Sequence, residues 1–373
     1  MSRYWPTHVD IDLSIITHNV EQIKTRIGKE VCLMAILKAD AYGHGAYETA
    51  KAALKGGAEK FGVASIDEAI ELRDRGITDP ILILGLSPTE AIGDIVGYGL
   101  IQTISDMEFA KLLSDEAVKQ KKTAEINIKV NTGMNRLGIN HDEAADYVEN
   151  ISKLPNISIE GIYTHFATAY NEIEYTEYQF KLFEGVLDKL KVRGIHIPYK
   201  HCCGSGGILN FPEMYLNQVR AGVIITTPYE AIDSSMSLDL RESFSFKSKI
   251  IFLRWVKAGD YLGYNRMYTV ERDSTVAVVS AGWGDGIPRE LSNKGYVLIR
   301  GKRCPIRGRV CSDNIIVDVS SVEDVCVGDE VVIIGEQGEN RISAWEWGKI
   351  LGGVSSPVTL RTLVTQRVQK KYI

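Results

Sequence analysis

Residues 32–46 read CLMAILKADAYGHGA, and this stretch is the first strand-to-helix unit of a repeating pattern that decides the fold. Its apolar run, 32–37, ends at Lys38, and Tyr42 lies four residues further on. A lysine at the end of an apolar strand is partly desolvated, which disfavours the ammonium form and favours an amine able to form a Schiff base. Taken alone, Lys38 would be interpreted as a surface lysine before a turn, so its role depends on the rest of the chain.

The first two-thirds of the chain alternate between short apolar runs and amphipathic segments. The apolar runs are 32–37, 61–65, 81–86, 101–105, 125–130, 158–164, 196–203 and 219–226. The helix-like segments are 46–57, 67–75, 89–97, 107–120, 142–153 and 176–193. Eight strand–helix units over about 220 residues favour a TIM barrel over a doubly wound sheet.

The pattern changes after about residue 235. The runs 246–253, 274–279, 296–300, 315–319 and 330–334 are short, rich in β-branched residues and separated by Gly, Asp or Asn. Such runs predict strands, and long helical patterns nearly vanish. We therefore predict an α/β TIM-barrel domain over residues 1–235, followed by a β-rich domain over 236–373.

Composition excludes several classes of partner. The chain of 373 residues has a net charge of −5 and no basic stripe, so we expect no nucleic-acid partner. No window approaches the apolar length of a membrane span, and the first 25 residues lack the apolar core of a signal peptide. The six cysteines and seven histidines show no metal-ligand spacing. These features predict a cytoplasmic protein without a metal site.

In a TIM barrel, catalytic groups gather at the carboxyl ends of the strands, and phosphate is often held after the seventh and eighth strands. Residues 204–207 (GSGG) follow the seventh run and offer backbone N–H groups and the Ser205 hydroxyl, while Gly222 follows Arg220 in the eighth. Arg136 follows the fifth run, and His165 directly follows the sixth. A lone GSGG loop is usually a plain turn, and a lone histidine is usually a core residue bonded to the backbone. Together with Lys38, these groups predict a pyridoxal phosphate site.

Several blocks of the sequence resemble the alanine racemase family, a group of fold-type III pyridoxal-phosphate enzymes. In the barrel region they are 38–45 (KADAYGHG), 132–138 (TGMNRLG), 164–167 (THFA) and 219–222 (VRAG). In the β-rich region they are 263–264 (GY), 284–286 (GDG) and 308–313 (GRVCSD). The blocks occur in the family's order and span essentially the whole chain.

The resemblance implies a pyridoxal-phosphate-dependent racemase that interconverts L- and D-amino acids, with alanine as the default substrate and D-alanine as a peptidoglycan precursor. It implies a homodimer with each site shared across the interface. Lys38 would hold the cofactor and act as the base on one face of the substrate Cα, and Tyr264 of the partner chain would act on the other. Racemisation needs two such bases, because one removes the proton and the other returns it to the opposite face.

The resemblance also assigns the remaining site residues. Tyr42, Ser205, Gly222 and Val223 would hold the phosphate, and His165 would contact the cofactor ring. Arg136 would lie near the cofactor's phenolic oxygen and the substrate carboxylate. Carbamylation of Lys129, found in some members of the family, would support Arg136.

Arg220 would face the nitrogen of the pyridine ring. Arginine stays protonated and can only donate to that nitrogen, so the ring remains an unprotonated and weaker electron sink. The hypothesis is that the proton then returns quickly to Cα rather than being diverted to transamination.

Five positions depart from the family pattern. Ser312 replaces a Met that lines the substrate pocket, and Thr362 aligns with a Tyr that narrows the entrance. Both changes remove volume and add a hydroxyl, which favours serine or a larger polar or basic amino acid as an alternative substrate. Gly204, Asn131 and Trp283 also differ from the family residues Asn, Asp and Tyr.

The sequence leaves two rival functions open. A decarboxylase of the same fold would use a cysteine of the second domain as its acid, and Cys311 lies in that region. A non-catalytic pyridoxal phosphate carrier would be a single barrel. Tyr264 and the Arg220 block favour the racemase over the first, and the long β-rich domain argues against the second.

Overall fold

The structure is a computed structural model that describes residues 4–229, 231–352 and 361–373. The chain forms two compact units. One comprises Ser14–Ala41 and Ala46–Glu242. The other comprises the described residues before Ser14, the segment Tyr42–Gly45 and the chain from Ser243 onward.

In these described ranges, the strands are β1 (His8–Ile11), β2 (Cys32–Ile36), β3 (Lys60–Val63), β4 (Ile81–Ile83), β5 (Ile101–Ile104), β6 (Ala124–Asn131), β7 (Ile139–Asn140), β8 (Ile157–Tyr163), β9 (Tyr199–His201), β10 (Gln218–Ala221), β11 (Phe244–Val256), β12 (Tyr261–Leu262), β13 (Tyr268–Thr269), β14 (Ser274–Val279), β15 (Tyr296–Ile299), β16 (Lys302–Arg307), β17 (Ile315–Asp318), β18 (Glu330–Gln337), β19 (Asn340–Ile342) and β20 (Gln369–Tyr372). The helices are α1 (Leu13–Ile27), α2 (Lys38–Gly43), α3 (Ala46–Lys55), α4 (Ile66–Asp74), α5 (Ile92–Gly97), α6 (Met107–Gln120), α7 (Ala144–Ile151), α8 (Ile173–Val192), α9 (Ser205–Asn210) and α10 (Ala344–Ile350).

The first unit is a nearly closed parallel barrel. Its strands follow the order β10-β2-β3-β4-β5-β6-β8-β9, and each neighbouring pair is parallel. The remaining gap, between β9 and β10, is bridged by the Arg220 N–H, which donates to the Cys203 carbonyl at 3.0 Å. Strands β2 to β5 are buried along their whole length, which explains why they are mostly apolar runs in the sequence.

Alternate residues of each barrel strand face the surrounding helices. Leu33 and Ala35 of β2 and Phe61 and Val63 of β3 belong to the core cluster that these helices cover. Local signals position the helices: Ser65 caps α4 in a capping box with Glu68, and Asp106 accepts a hydrogen bond from the Phe109 N–H at the start of α6. The carboxyl ends of the strands are therefore held at one end of a packed barrel.

The second unit is built on a mostly antiparallel sheet. The strand order is β19-β18-β15-β16-β17-β14-β11-β1-β20, and an additional pairing of β18 with β11 closes part of it into a ring. The amino-terminal β1 pairs antiparallel with β11 and parallel with β20. The first strand of the chain thus belongs to the unit that contains its last.

The predicted architecture is confirmed: a TIM-type barrel is followed by a mostly-β unit. A strand overlaps each of the eight predicted barrel runs, and α3 to α8 overlap the predicted helical segments. The sequence did not predict β1 or α1. The predicted division was at residue 235, whereas the compact units divide between Glu242 and Ser243. In the described chain, no helix combines the length and apolarity required to cross a membrane.

Candidate active site at the carboxyl ends of the barrel strands

Lys38 lies two residues after the end of β2, where the apolar run ends. Leu37 is fully buried, and its N–H donates to the Gly62 carbonyl at 2.8 Å, so the backbone that leads to the lysine is tied to β3. Lys38 itself is half-buried. Burial lowers the pKa of its ammonium, the positive charge of Arg136 lowers it further, and Glu68 acts in the opposite direction. The amine is therefore more readily deprotonated than that of an exposed lysine.

The short element α2, which begins at Lys38, is a left-handed turn rather than a right-handed helix. Residues 39 to 42 have φ values of 53°, 54°, 51° and 57°, so four consecutive non-glycine residues adopt the left-handed region. Each such residue costs about 1–2 kcal/mol relative to a right-handed helix. Hydrogen bonds hold the turn, because the Ala39 N–H donates to Glu68 at 2.7 Å and the Ala46 N–H donates to Asp40 at 2.8 Å. Strain retained in this way is characteristic of functional sites.

Positive charge gathers around the ends of β6, β8 and β10. Lys129 is almost fully buried, and burial together with the charges of Arg220, Arg136 and Lys38 lowers its pKa to about 8. The ammonium of Lys129 and the guanidinium of Arg220 both lie over the ring of Tyr163, at 5.3 and 5.1 Å from its centroid. Such a cluster favours an anionic ligand.

Arg136 lies in the loop after β6. Asn131 shapes this loop, because its side-chain oxygen accepts hydrogen bonds from the N–H groups of Gly133 and Asn135 at 3.2 and 3.0 Å. The departure from the family's Asp therefore keeps the acceptor that the turn requires. Arg136 is exposed, and it shares a small cavity with Lys129, Thr164 and His165.

Arg220 is buried and held by barrel groups. Its Nη atoms donate to the ring nitrogens of His201 and His165, at 2.8 and 3.1 Å, and to the carbonyls of Thr164, His201 and Cys202. All of its hydrogen bonds within the described chain are made by the Nη atoms, so the Nε–H is left as a donor for a ligand. Burial and neighbouring positive charge hold the pKa of both histidines well below the usual value, which makes the two rings neutral acceptors.

The predicted phosphate loops meet at the end of β9 and β10. The Gly222 N–H donates to the Ser205 hydroxyl oxygen at 3.0 Å, and Val223 follows in a short 3-10 turn. A Cβ at Gly204 would lie 3.1 Å from the Cε1 atom of His165, so the glycine at this departing position gives the histidine ring room. The structure therefore brings Ser205, Gly222 and His165 together.

Tyr42 and Tyr264 belong to the second unit. Tyr42 is half-buried and is the last residue of the left-handed turn. Tyr264 is 67% exposed, in a loop where Gly263, Asn265 and Arg266 all have positive φ. The contribution of either residue to a site stays a prediction.

Ser312 lies in a charged network of the second unit. Its hydroxyl donates to Asp313, whose carboxylate accepts from Arg367 at 2.7 Å. Arg367 also makes two 2.8 Å hydrogen bonds to the fully buried carboxylate of Asp285. Ser312 is therefore oriented by a fixed carboxylate.

The other predicted residues of this unit are mostly exposed. Thr362 is exposed, and the residues 357–360 that precede Arg361 lie outside the described residues. Trp283 is 46% exposed, with the Arg289 guanidinium 5.3 Å from its ring centroid. Cys311 is half-buried, and burial raises the pKa of its thiol.

Sequence reasoning missed two contributors to the site. His201, at the end of β9, accepts from Arg220 and stacks on Tyr163 with centroids 4.9 Å apart. Glu68, on α4, holds the turn after Lys38. The capping box of α4 was a visible signal for Glu68, but nothing in the sequence indicated its second partner.

The whole chain is similar to known alanine racemases. Family models for the N-terminal and C-terminal domains of alanine racemase match residues 11–230 and 243–372. Alanine racemase 2 of Caldanaerobacter subterraneus subsp. tengcongensis is 40% identical, over 99% of this chain and 95% of that protein. The structure of alanine racemase from Clostridium difficile 630 superposes with a TM-score of 0.93 at 34% identity, covering 99% of this chain and 96% of that one.

The fold and these relatives define a barrel-plus-β isomerase that acts on amino acids. The chain belongs to the alanine racemase family. A histidine racemase from Leuconostoc mesenteroides subsp. sake is also similar, with a TM-score of 0.90 at 26% identity over 100% of this chain and 99% of that one.

Proposed function

We propose that this chain interconverts L- and D-alanine with bound pyridoxal 5'-phosphate, using Lys38 and Tyr264 as bases on opposite faces of Cα. The observation that carries the proposal is the arrangement of the barrel mouth. A half-buried lysine with a lowered pKa and a serine–glycine loop pair follow strands of one barrel, and a buried arginine with a spare donor lies in the last of those strands. The D-alanine formed is a precursor of peptidoglycan.

The residues at the strand ends fit the cofactor. When bound, pyridoxal phosphate supplies an electrophilic carbon for an amine and an electron sink for the electrons left at Cα. Lys38 would hold its carbonyl carbon. Ser205, Gly222, Val223 and Tyr42 would hold the phosphate, and the neutral ring of His165 would lie against the cofactor ring.

The two bases have different environments. The lowered pKa of the Lys38 amine favours its unprotonated form, which can accept a proton. Tyr264 is 67% exposed in the single chain, which suits a residue that enters the site of a second subunit. Arg136 would bind the substrate carboxylate and align Cα between the bases.

Substitution of each base tests these roles. We expect Lys38→Ala to abolish racemisation of alanine in both directions, because the residue both holds the cofactor and moves a proton. Tyr264→Phe removes only the phenolic hydroxyl and should lower kcat by at least about 100-fold, as expected for loss of a general base. Tyr261→Phe, on an exposed tyrosine three residues away, is the matched control. Equal activity of the two phenylalanine variants would exclude Tyr264 as a base.

We also propose a cytoplasmic homodimer in which each site combines Lys38 of one subunit with Tyr264 of the other. The Lys38→Ala and Tyr264→Phe variants, mixed under subunit exchange, provide the test. If assembly is random, half of the dimers are mixed and one of their two sites is intact, so about a quarter of the activity should return. No recovery in verified mixed dimers would mean that both bases come from one chain.

Arg220 supports a racemase rather than a transaminase. Its guanidinium stays protonated, so its Nε–H can donate to the ring nitrogen but cannot accept a proton from it. With this donor a bound cofactor would remain a weak electron sink, so return of the proton to Cα would be favoured. We expect Arg220→Glu to increase pyruvate formation from alanine relative to racemisation. An unchanged ratio in the folded variant would refute this role.

A second candidate is racemisation of serine or of a larger polar or basic amino acid. The observation that favours it is the hydroxyl of Ser312, which stands where the family has Met and donates to Asp313, itself paired with Arg367. Chiral chromatography of twenty L-amino acids incubated with the holoenzyme discriminates between the candidates. Racemisation of alanine alone would eliminate the second, and release of CO₂ from a basic amino acid would instead support a decarboxylase.

A further inference from the structure

A continuous line of polar side chains crosses the barrel interior behind Arg220. The guanidinium donates to Nδ1 of His201 at 2.8 Å, and Nε2 of His201 lies 2.9 Å from the side-chain oxygen of Asn127. The Asn127 amide group then donates to Glu160 at 2.5 Å, and Lys60 pairs with the other oxygen of Glu160. His201 and Asn127 are fully buried, and the charged side chains of Lys60 and Glu160 are only 7% and 11% exposed.

The chemistry of the two ends fixes the direction of every hydrogen bond. Arginine has no acceptor, so Nδ1 of His201 must be unprotonated and Nε2 must carry the proton. That proton points to the Asn127 oxygen, which turns the amide group of Asn127 toward the Glu160 carboxylate. Lys60 can only donate, so Glu160 serves as the acceptor for both neighbours. Only one tautomer of His201 satisfies the whole line.

The backbone is modified at the point where this line needs it. The pairing of β6 with β8 shifts register, since Ile126 lies opposite Ile159 but Asn127 lies opposite Gly161. Glu160 is the extra residue of this bulge, and a bulge redirects the side chain of the residue it inserts. A Cβ on Gly161 would overlap the side-chain oxygen of Asn127. The bulge and the glycine therefore leave room for the side chains of Glu160 and Asn127 to contact each other.

We propose that Glu160 is a positioning residue of the active site, which acts through Asn127 and the His201 tautomer to hold Arg220 as a donor toward the cofactor ring. The inference rests on the proposed function, because it concerns the donor role of Arg220. Glu160 provides the fixed acceptor at the end of the line, and Lys60 balances its charge. The ring of Tyr199, whose centroid lies 3.3 Å from the Lys60 ammonium, holds that lysine in place.

Glu160→Gln should reverse the direction of the hydrogen bonds along this line, while the side chain at position 160 keeps its shape. Lys60 still requires an oxygen, so the oxygen of the introduced side-chain amide faces Lys60 and its NH₂ group faces Asn127. Asn127 must then present its oxygen to residue 160 and its amide group to His201. Nε2 becomes an acceptor, the proton moves to Nδ1, and this N–H opposes the Arg220 N–H. We expect Arg220 to lose its position.

The direct readout is the protonation of the His201 ring, measured by ¹⁵N NMR on the histidine-labelled full chain, both as the holoenzyme and after removal of the cofactor. Unmodified protein should show a proton on Nε2, and Glu160→Gln should show it on Nδ1. The double variant Lys60→Met/Glu160→Gln removes the ammonium that requires an oxygen from residue 160, and should return the proton to Nε2. Glu125→Gln, on an exposed carboxylate of β6, is the control.

Activity provides the second readout. Glu160→Gln should lower kcat about 10- to 100-fold, the range typical of residues that orient a ligand-contacting group, with little change in KM. The double variant should recover most of this loss. A proton on Nδ1 in the unmodified protein, or on Nε2 in folded Glu160→Gln, would overturn the inference even if racemase activity is present. Absence of racemase activity in the unmodified protein would refute the proposed function, but the tautomer measurement would remain valid.

Discussion

Lys129 provides a quantitative test of the electrostatics at the barrel mouth. Its pKa of about 8, against 10.5 for a free lysine, corresponds to roughly 3 kcal/mol of destabilisation whenever the folded state must carry the ammonium. The side chain is only 6% exposed, so solvent screens little of this cost. Lys129→Met removes the charge and retains most of the volume, and should therefore stabilise the cofactor-free protein near neutral pH.

The sign of the pH dependence follows from proton binding. Between about pH 8 and 10.5 the unfolded state binds the proton of Lys129 more strongly than the folded state, so the stability of unmodified protein rises with pH across this window. Below it, both states are protonated and the full cost is present. The advantage of Lys129→Met over unmodified protein should shrink by about 2.5 kcal/mol between pH 7 and pH 10.

Urea denaturation at matched protein concentration, with reductant and without bicarbonate, measures this difference. Lys181→Met, on the exposed face of α8, is the control and should show no pH-dependent advantage. Carbamylation of Lys129 would relieve the same cost, so bicarbonate should stabilise unmodified protein at pH 8 and leave Lys129→Met unchanged. A difference between Lys129→Met and unmodified protein that is constant from pH 7 to pH 10 would refute the reasoning.

Two further predictions concern the second unit. Arg367→Met should lower the free energy of unfolding by about 3 kcal/mol, because it leaves the buried Asp285 carboxylate without its cationic partner. Arg341→Met is the control: it removes only the exposed pair with Glu336 and should lower the free energy of unfolding by less than about 1 kcal/mol in the same denaturation assay. Ser312→Met should raise the ratio of kcat/KM for alanine over serine by about 5- to 150-fold. The reason is that it replaces a polar group with apolar volume, which changes the discrimination between the two substrates by about 1–3 kcal/mol. An unchanged ratio would show that residue 312 does not contact the substrate.

The barrel was predictable mainly because strands such as β2 to β5 are buried on both faces. That burial leaves mostly apolar runs, and a strand overlaps each of the eight predicted runs. The residues that follow the runs, such as Lys38 and His165, could then be placed at one end of the barrel from topology alone. Their chemistry was visible because lysine, histidine and arginine are uncommon at buried strand ends.

Long-range pairing and backbone strain were not predictable. Strand β1 has four residues and gains its partners from β11 and β20, more than 200 residues away along the chain. The left-handed turn at 39–42 contains no glycine, so no local preference indicated it. The role of Glu160 was not predictable either, because the bulge that turns its side chain toward Asn127 depends on the register with β6.

The central claim is that two bases, Lys38 and Tyr264, act on opposite faces of one Cα. The most direct measurement is the reaction of L-alanine with the holoenzyme in deuterated water, stopped at low conversion and resolved by chiral chromatography with mass detection. Two bases predict that the D-alanine formed carries deuterium at Cα while the remaining L-alanine retains protium. Deuterium in L-alanine without formation of D-alanine, or D-alanine that retains the original protium, would contradict the account.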